Sequence, residues 1–181
     1  MKRLLIVFLL LGYFSSGAYA EEQGEQKYVG VFYGVADSGD GDVKNGNLGM
    51  VIGGYVKSGL GVEFFYSDTF DEDDVDTDVG KIRYETQVWG LLGSYRVGDK
   101  YYGQVKAGYT FLDLNAKISG LTSEKWKEEG LTYGVGFGIK VGKNGAVELN
   151  YLVLPEVTDR IAGLDVEFDN ELYSLGYNWN F

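Results

Sequence analysis

Few side chains in this sequence have the chemistry of a reaction centre. Glu63 and Glu148 are carboxylates set among apolar and glycine residues, and Arg96, Lys106 and Lys140 are cations in similar settings. Two facing carboxylates are the minimum equipment for hydrolysing a glycoside. A denser acidic run stands at Asp71-Glu72-Asp73-Asp74-Val75-Asp76-Thr77-Asp78-Val79-Gly80. Asp74, Asp76, Asp78 and Glu85 match positions 1, 3, 5 and 12 of a calcium-binding EF-hand loop. Gly80 falls one place late for that loop, and strand patterns flank it where helices are needed. An EF-hand is therefore not expected. Loose binding of Ca²⁺ or Mg²⁺ by these oxygen ligands is the open reading, beside that of a run which only keeps a loop solvated. Asp37, Asp40 and Asp42 add to the same acidic surface.

The absences narrow the chemistry further. The 181 residues contain no His and no Cys. The commonest general base, the commonest transition-metal ligand, thiolate nucleophiles and disulfides are all missing. The net charge is −11, so nucleic acid is not an expected partner.

The elements that must position these groups are strands. Glycine is abundant (28 residues), as are Tyr (15) and Phe (10), while Pro occurs once. Leu131, Tyr133, Val135, Phe137, Ile139 and Val141 alternate with Thr132, Gly134, Gly136, Gly138 and Lys140. That is a period of two, with one apolar face and one small or polar face. The stretches from Gly59 and from Tyr173 behave alike. Breaks at Gly, Asn and Asp clusters give eight strands: Lys27–Ala36, Gly46–Lys57, Gly59–Phe70, Lys81–Val97, Lys100–Asn115, Gly130–Val141, Ala146–Leu154 and Val166–Phe181. Three connections are tight turns, at Lys57–Gly59, Gly98–Lys100 and Gly142–Gly145. Four are long and polar: Asp37–Asn45, Asp71–Gly80, Ala116–Glu129 and Pro155–Asp165.

Met1-Lys2-Arg3, an apolar run and Ala18-Tyr19-Ala20 read as a secretory signal, residues 1–20, cleaved after Ala20. Residues 21–181 then form one exported domain. Eight strands closed on themselves leave an interior that barely holds its own side chains. The bulky face of Leu131–Val141 would overfill it, whereas the glycine face fits. The bulky face must then look outward, into hydrocarbon. Aromatics bracket it, with Tyr101 eight to ten residues from Tyr109 and Phe111, the spacing of two girdles about 25 Å apart. The expected fold is all-β, an eight-stranded antiparallel up-and-down transmembrane β-barrel. Glu63, Arg96, Lys106, Lys140 and Glu148 are expected to form ion pairs in its interior.

The last strand, Ser174-Leu175-Gly176-Tyr177-Asn178-Trp179-Asn180-Phe181, resembles the assembly signal of small bacterial outer-membrane barrels, the group of the OmpA transmembrane domain, OmpX and the opacity-type surface proteins. Ser174, Gly176, Trp179 and Phe181 match its polar, glycine and apolar positions. The resemblance implies recognition by the outer-membrane insertion machinery and location in the bacterial outer membrane. It implies both termini in the periplasm, with the four long connections extracellular. Outer-membrane lipid and lipopolysaccharide would surround a barrel expected to be a monomer. An OmpA-type peptidoglycan-binding domain is not expected after Phe181. Enzymes built on such barrels use a histidine, which this chain lacks. The resemblance therefore implies a non-enzymatic structural or surface-interaction role, adhesin-like, toward host or environmental ligands. Two alternatives stay open: a narrow low-conductance pore, and a soluble exported ligand-binding barrel.

Overall fold

The computed structural model describes residues 26–38, 43–56, 58–71, 74–77, 80–118, 124–161 and 164–181. The signal-peptide reading, residues 1–20, lies outside them. Nine strands are found among the described residues: β1 (Gln26–Ser38), β2 (Val43–Tyr55), β3 (Leu60–Asp71), β4 (Asp74–Thr77), β5 (Gly80–Gly98), β6 (Tyr101–Ile118), β7 (Glu124–Val141), β8 (Gly145–Ile161) and β9 (Leu164–Asn180). Each long strand pairs antiparallel with its neighbours, β1 pairs with β9, and β3 pairs with β5. The sheet is thereby closed, an eight-stranded barrel with β4 as a short flap on β5. Closure matters in lipid because no strand is left with an open edge of unpaired backbone groups.

The apolar face points outward. On β7, Leu131 is 78% exposed and Tyr133 61%, while Thr132 between them is 1% exposed. Val31, Leu91, Val105, Leu149 and Leu175 are exposed in the same way on other strands. Aromatic pairs sit toward both borders of this band. Trp89 stacks on Phe111 with centroids 4.1 Å apart, and Tyr177 meets Trp179 edge-on at 4.6 Å. No helix among the described residues is long and apolar enough to cross a membrane; the crossings are made by strands.

The tight turns at Gly98–Lys100 and Gly142–Gly145 fall where expected, while Lys57 of the third lies outside the described residues. Gly98 has φ +113°, a conformation that side-chain-bearing residues rarely adopt, and its strand pairs back across the turn with β6. The long connections differ from expectation. β7 begins at Glu124 rather than Gly130, and β8 runs through Pro155 to Ile161. A membrane crossing takes about 9–11 residues, so β5 to β9, at 17 to 19 residues each, project well beyond the apolar band. The polar stretches were expected as loops because hydropathy alternation fades once both faces meet water. Ladder pairing continues regardless, as in Leu112↔Glu128 and Leu114↔Trp126. Pro155 is accommodated by a bulge between Leu154 and Val157, where the register shifts and no ladder hydrogen bond is required of it.

The interior holds more than glycines, hydroxyls and charges. Phe32, Phe65, Val88, Leu92, Leu112, Leu152 and Leu172 are buried together with Leu154 and Val157 in one apolar cluster. Glycines on adjacent strands make room for it. At Gly49 a Cβ would collide with the ring of Phe32.

Candidate functional site

Inward residues close to the tight turns build a polar plug. β3 brings Glu63 inward three residues after its start, and β6 brings Tyr102, Gln104 and Lys106 inward by alternation. Arg96 stands two residues before the end of β5 and Glu148 three residues after the start of β8. Lys106 Nζ lies 2.6 Å from Glu63 Oε2. Arg96 Nη2 lies 2.7 Å from Glu148 Oε1. The Tyr55 hydroxyl donates to Glu63 Oε1 at 2.6 Å and faces Gln104 Oε1 at 2.9 Å. Gln104 Nε2 donates to Glu148 Oε2 at 3.1 Å and to Asn150 Oδ1 at 2.9 Å. The Tyr102 hydroxyl donates to Glu148 Oε1 at 2.6 Å. The Arg96 guanidinium is sandwiched, 3.9 Å from the Tyr55 ring centroid and 3.8 Å from that of Tyr102. Aromatic faces attract such a cation most strongly where water is scarce.

Two carboxylates and two cations thus meet as a set whose formal charges cancel, with Tyr55 and Gln104 linking the pairs. Every carboxylate oxygen already accepts a hydrogen bond. The arrangement leaves neither carboxylate turned toward a substrate. Between the plug and the apolar cluster lies a cavity of about 30 Å³, lined by Glu63, Lys106 and Glu148 on one side and Phe32, Phe65 and Leu92 on the other. It has room for a water molecule or two.

Lys140 departs from expectation. Its position alternates with the inward set, but its Nζ reaches Asp99 Oδ1 at 2.7 Å, and the two side chains are 36% and 94% exposed. The long lysine stem lets the ammonium leave the plug for water at the turn. The hydrogen bond from Lys140, reinforced by its charge, holds the Asp99 carboxyl below the usual carboxylate range. The interior set is therefore Glu63, Arg96, Lys106 and Glu148. Tyr55, Tyr102 and Gln104 complete it, and sequence reasoning missed all three. The signal was present, since Tyr102 and Gln104 share the parity of Lys106.

The acidic run of the second long connection is only partly described. Asp78 lies outside the described residues, and Asp74 and Asp76 are described as backbone of β4 alone. No group of three or more potential metal-binding side chains occurs among the described residues. At the other end of the chain, Ser174 is buried in the interior, Gly176 lies against Phe32, and Trp179 and Phe181 are exposed on the outer face. The Phe181 amide donates to the Lys27 carbonyl at 2.9 Å, tying the last residue to the first strand.

No curated protein sequence matches the chain. Among solved structures, that of Ail, the attachment invasion locus protein of Yersinia pestis, in complex with the heparin analogue sucrose octasulfate, aligns with a TM-score of 0.56 at 14% identity, covering 88% of this chain and 100% of that one. Neisserial surface protein A aligns with a TM-score of 0.64 at 13% identity, covering 88% and 98%. The N-terminal β-barrel domain of Pseudomonas aeruginosa OprF gives 0.59 at 15%, covering 87% and 99%. At such identities the likeness is one of fold. A family model for the outer membrane protein beta-barrel domain matches residues 6–181. With the outward apolar band, the closed sheet and that match together, the chain belongs to the outer membrane protein beta-barrel family.

Proposed function

We propose that this protein is a non-enzymatic surface-display barrel of the bacterial outer membrane, with an adhesin-like role. The supporting observation is the asymmetry of its two ends. One carries tight turns, and the other carries polar hairpins that extend the barrel wall far past its apolar band. In this reading the turns and both termini face the periplasm, and the hairpins face outward toward host or environmental ligands. Ser174, Gly176, Trp179 and Phe181 serve as the signal read by the insertion machinery. Any Ca²⁺ or Mg²⁺ held by Asp74, Asp76 and Asp78 is an accessory to that surface.

Ail binds a polyanion, the heparin analogue in its structure. The hairpins here are dominated by carboxylates, so polyanions are repelled, and a neutral or cationic surface is the better match. The filled interior, with a cavity of only about 30 Å³, speaks for display over conduction.

The test uses the absence of native cysteine. Glu156 and Lys143 are both exposed, one on a hairpin and one in a turn. Glu156→Cys is expected to react with a membrane-impermeant maleimide on intact cells, and Lys143→Cys only after permeabilisation. The reverse pattern overturns the orientation. Cells displaying the barrel should adhere to a target surface more than cells lacking it; equal adhesion overturns the adhesin-like role. Planar-bilayer recordings should show no steady openings, and steady large ones would favour the pore.

A further inference from the structure

The barrel wall is closed through the membrane and opens above it. β7 pairs with β6 from Ile139 all the way to Glu124, but its ladder with β8 stops at Tyr133↔Val153. The Lys140 amide donates to the Lys100 carbonyl on the β6 side. Even-numbered residues of β7 therefore aim their backbone groups at β6, and odd-numbered ones aim theirs at β8. The next pair on the β8 side would be Leu131 with Pro155, and a proline has no amide to give. Its ring packs beside Gly130 instead, where a Cβ would lie 3.3 Å from Pro155 Cβ. Beyond that point Lys125, Lys127 and Glu129 have a ladder partner on one side only, and no other strand among the described residues pairs with them. The hydroxyl of Tyr109, a border aromatic, donates to Glu129 Oε1 at 3.3 Å. The open edge thus begins where the apolar band ends.

This edge is held in shape. Its other side is in register with β6, Lys127 Nζ lies 3.0 Å from Asp113 Oδ2 across that ladder, and Trp126 packs on the apolar cluster. A preformed edge is a template for one more strand. Charge selects which strand. By alternation with exposed Leu131 and buried Thr132, Glu129 faces outward and Glu128 inward. Successive residues of an added strand stand opposite these two, one on each face. Two adjacent basic residues therefore meet both carboxylates. Lys127 is already matched by Asp113, and Lys125 favours an acidic residue opposite it. A second copy of this chain would bring its own carboxylate-rich hairpins against the same carboxylates.

We infer that the β7 edge from Lys125 to Glu129 takes up, as an added strand, an extended segment of a partner protein that carries two adjacent basic residues. Pro155 keeps β8 from filling that place. The inference deepens the adhesin-like reading by naming the chemistry of the partner. Its test uses purified barrel, so failure here leaves the cell-adhesion result standing, and failure there leaves the edge untouched.

The probe is a synthetic peptide of about eight residues, an ordinary strand length, with threonine and valine flanking a central Lys-Lys pair. It is added to the folded barrel in detergent micelles while amide hydrogen exchange is followed by NMR. Saturation at one peptide per barrel is expected. Exchange should slow at Lys125, Lys127 and Glu129 and stay unchanged at Trp126 and Glu128, whose amides face β6. Glu128→Gln with Glu129→Gln should weaken binding roughly tenfold, the worth of two cross-strand ion pairs. Pro155→Val returns the missing amide, lets β8 close on β7, and should weaken binding by a similar factor. The same peptide with Glu-Glu at its centre should not bind. Equal affinity of either variant and the parent, equal binding of the Glu-Glu peptide, or binding that leaves the three amides exchanging as before would overturn the assignment. So would protection of those amides in the barrel alone as its concentration rises, because the occupant would then be a second copy. Unchanged heat-modified gel mobility verifies that each variant is folded.

Discussion

The two halves of the interior fill the same cylinder with opposite materials. Near the tight turns, Glu63, Lys106, Arg96 and Glu148 interlock with Tyr55, Tyr102 and Gln104 through hydrogen bonds of 2.6 to 3.1 Å. Toward the hairpins, Phe32, Phe65, Leu92, Leu112 and Leu152 pack without direction. The difference lies in how each half fails. An apolar plug loses contacts in proportion to the volume removed, whereas a polar plug that loses one member strands its partner's charge.

That contrast can be broken most sharply at Lys106. Lys106→Ala leaves Glu63 buried without its cation, and a loss of about 3–5 kcal/mol is expected. Urea unfolding of the barrel in lipid vesicles, read by heat-modified gel mobility, measures it; an unfolding curve identical to the parent's would sink the interlocked plug. Replacing both partners, Glu63→Leu with Lys106→Met, removes the stranded charge and should recover most of that loss, while Tyr55 turns its proton to Gln104.

In the apolar half, Leu92→Ala should cost about 2–4 kcal/mol by opening a cavity. A companion Glu63→Leu with Lys106→Met change, which strands no charge, should not restore it, and restoration would mean that the halves are one unit. Within the polar half, Arg96→Lys keeps the charge but gives up two ring faces and the planar fork. The expected loss is about 1–2 kcal/mol, with Glu148 still paired.

The smallest effect is expected outside both halves, at Asp99. Its carboxyl is held low by Lys140, so any contribution is present above the ordinary carboxylate range and disappears as pH falls through the lowered value. Asp99 is almost fully exposed and the pair is screened by water. Asp99→Asn should therefore leave the unfolding midpoint unchanged at neutral pH. A clear shift there would show that the exposed Asp99–Lys140 pair stabilises the barrel.

Legibility followed the physics of each signal. Strand faces could be read because Leu131, Val135 and Phe137 alternate with glycines, and one parity assigns a whole strand. Turns could be read because Gly98 supplies a backbone conformation that other residues resist. The same parity placed Glu63, Arg96, Lys106 and Glu148 in the interior. It could not say that Lys140 would bend out to Asp99, because a lysine stem is long enough to serve either place. It also missed the ends of β7 and β8, where Lys127 pairs with Asp113 and Pro155 rides in a bulge. Ladder pairing there owes nothing to alternation.

By itself, then, the order of residues determined which side of each strand meets lipid, how many strands close the wall and where the chain reverses tightly, since these depend on neighbours one to four positions apart. Only the closed barrel decided who meets whom across its interior. Lys106 and Glu63, or Arg96 and Glu148, come together through strand stagger and curvature, properties of the whole circumference that no local stretch encodes.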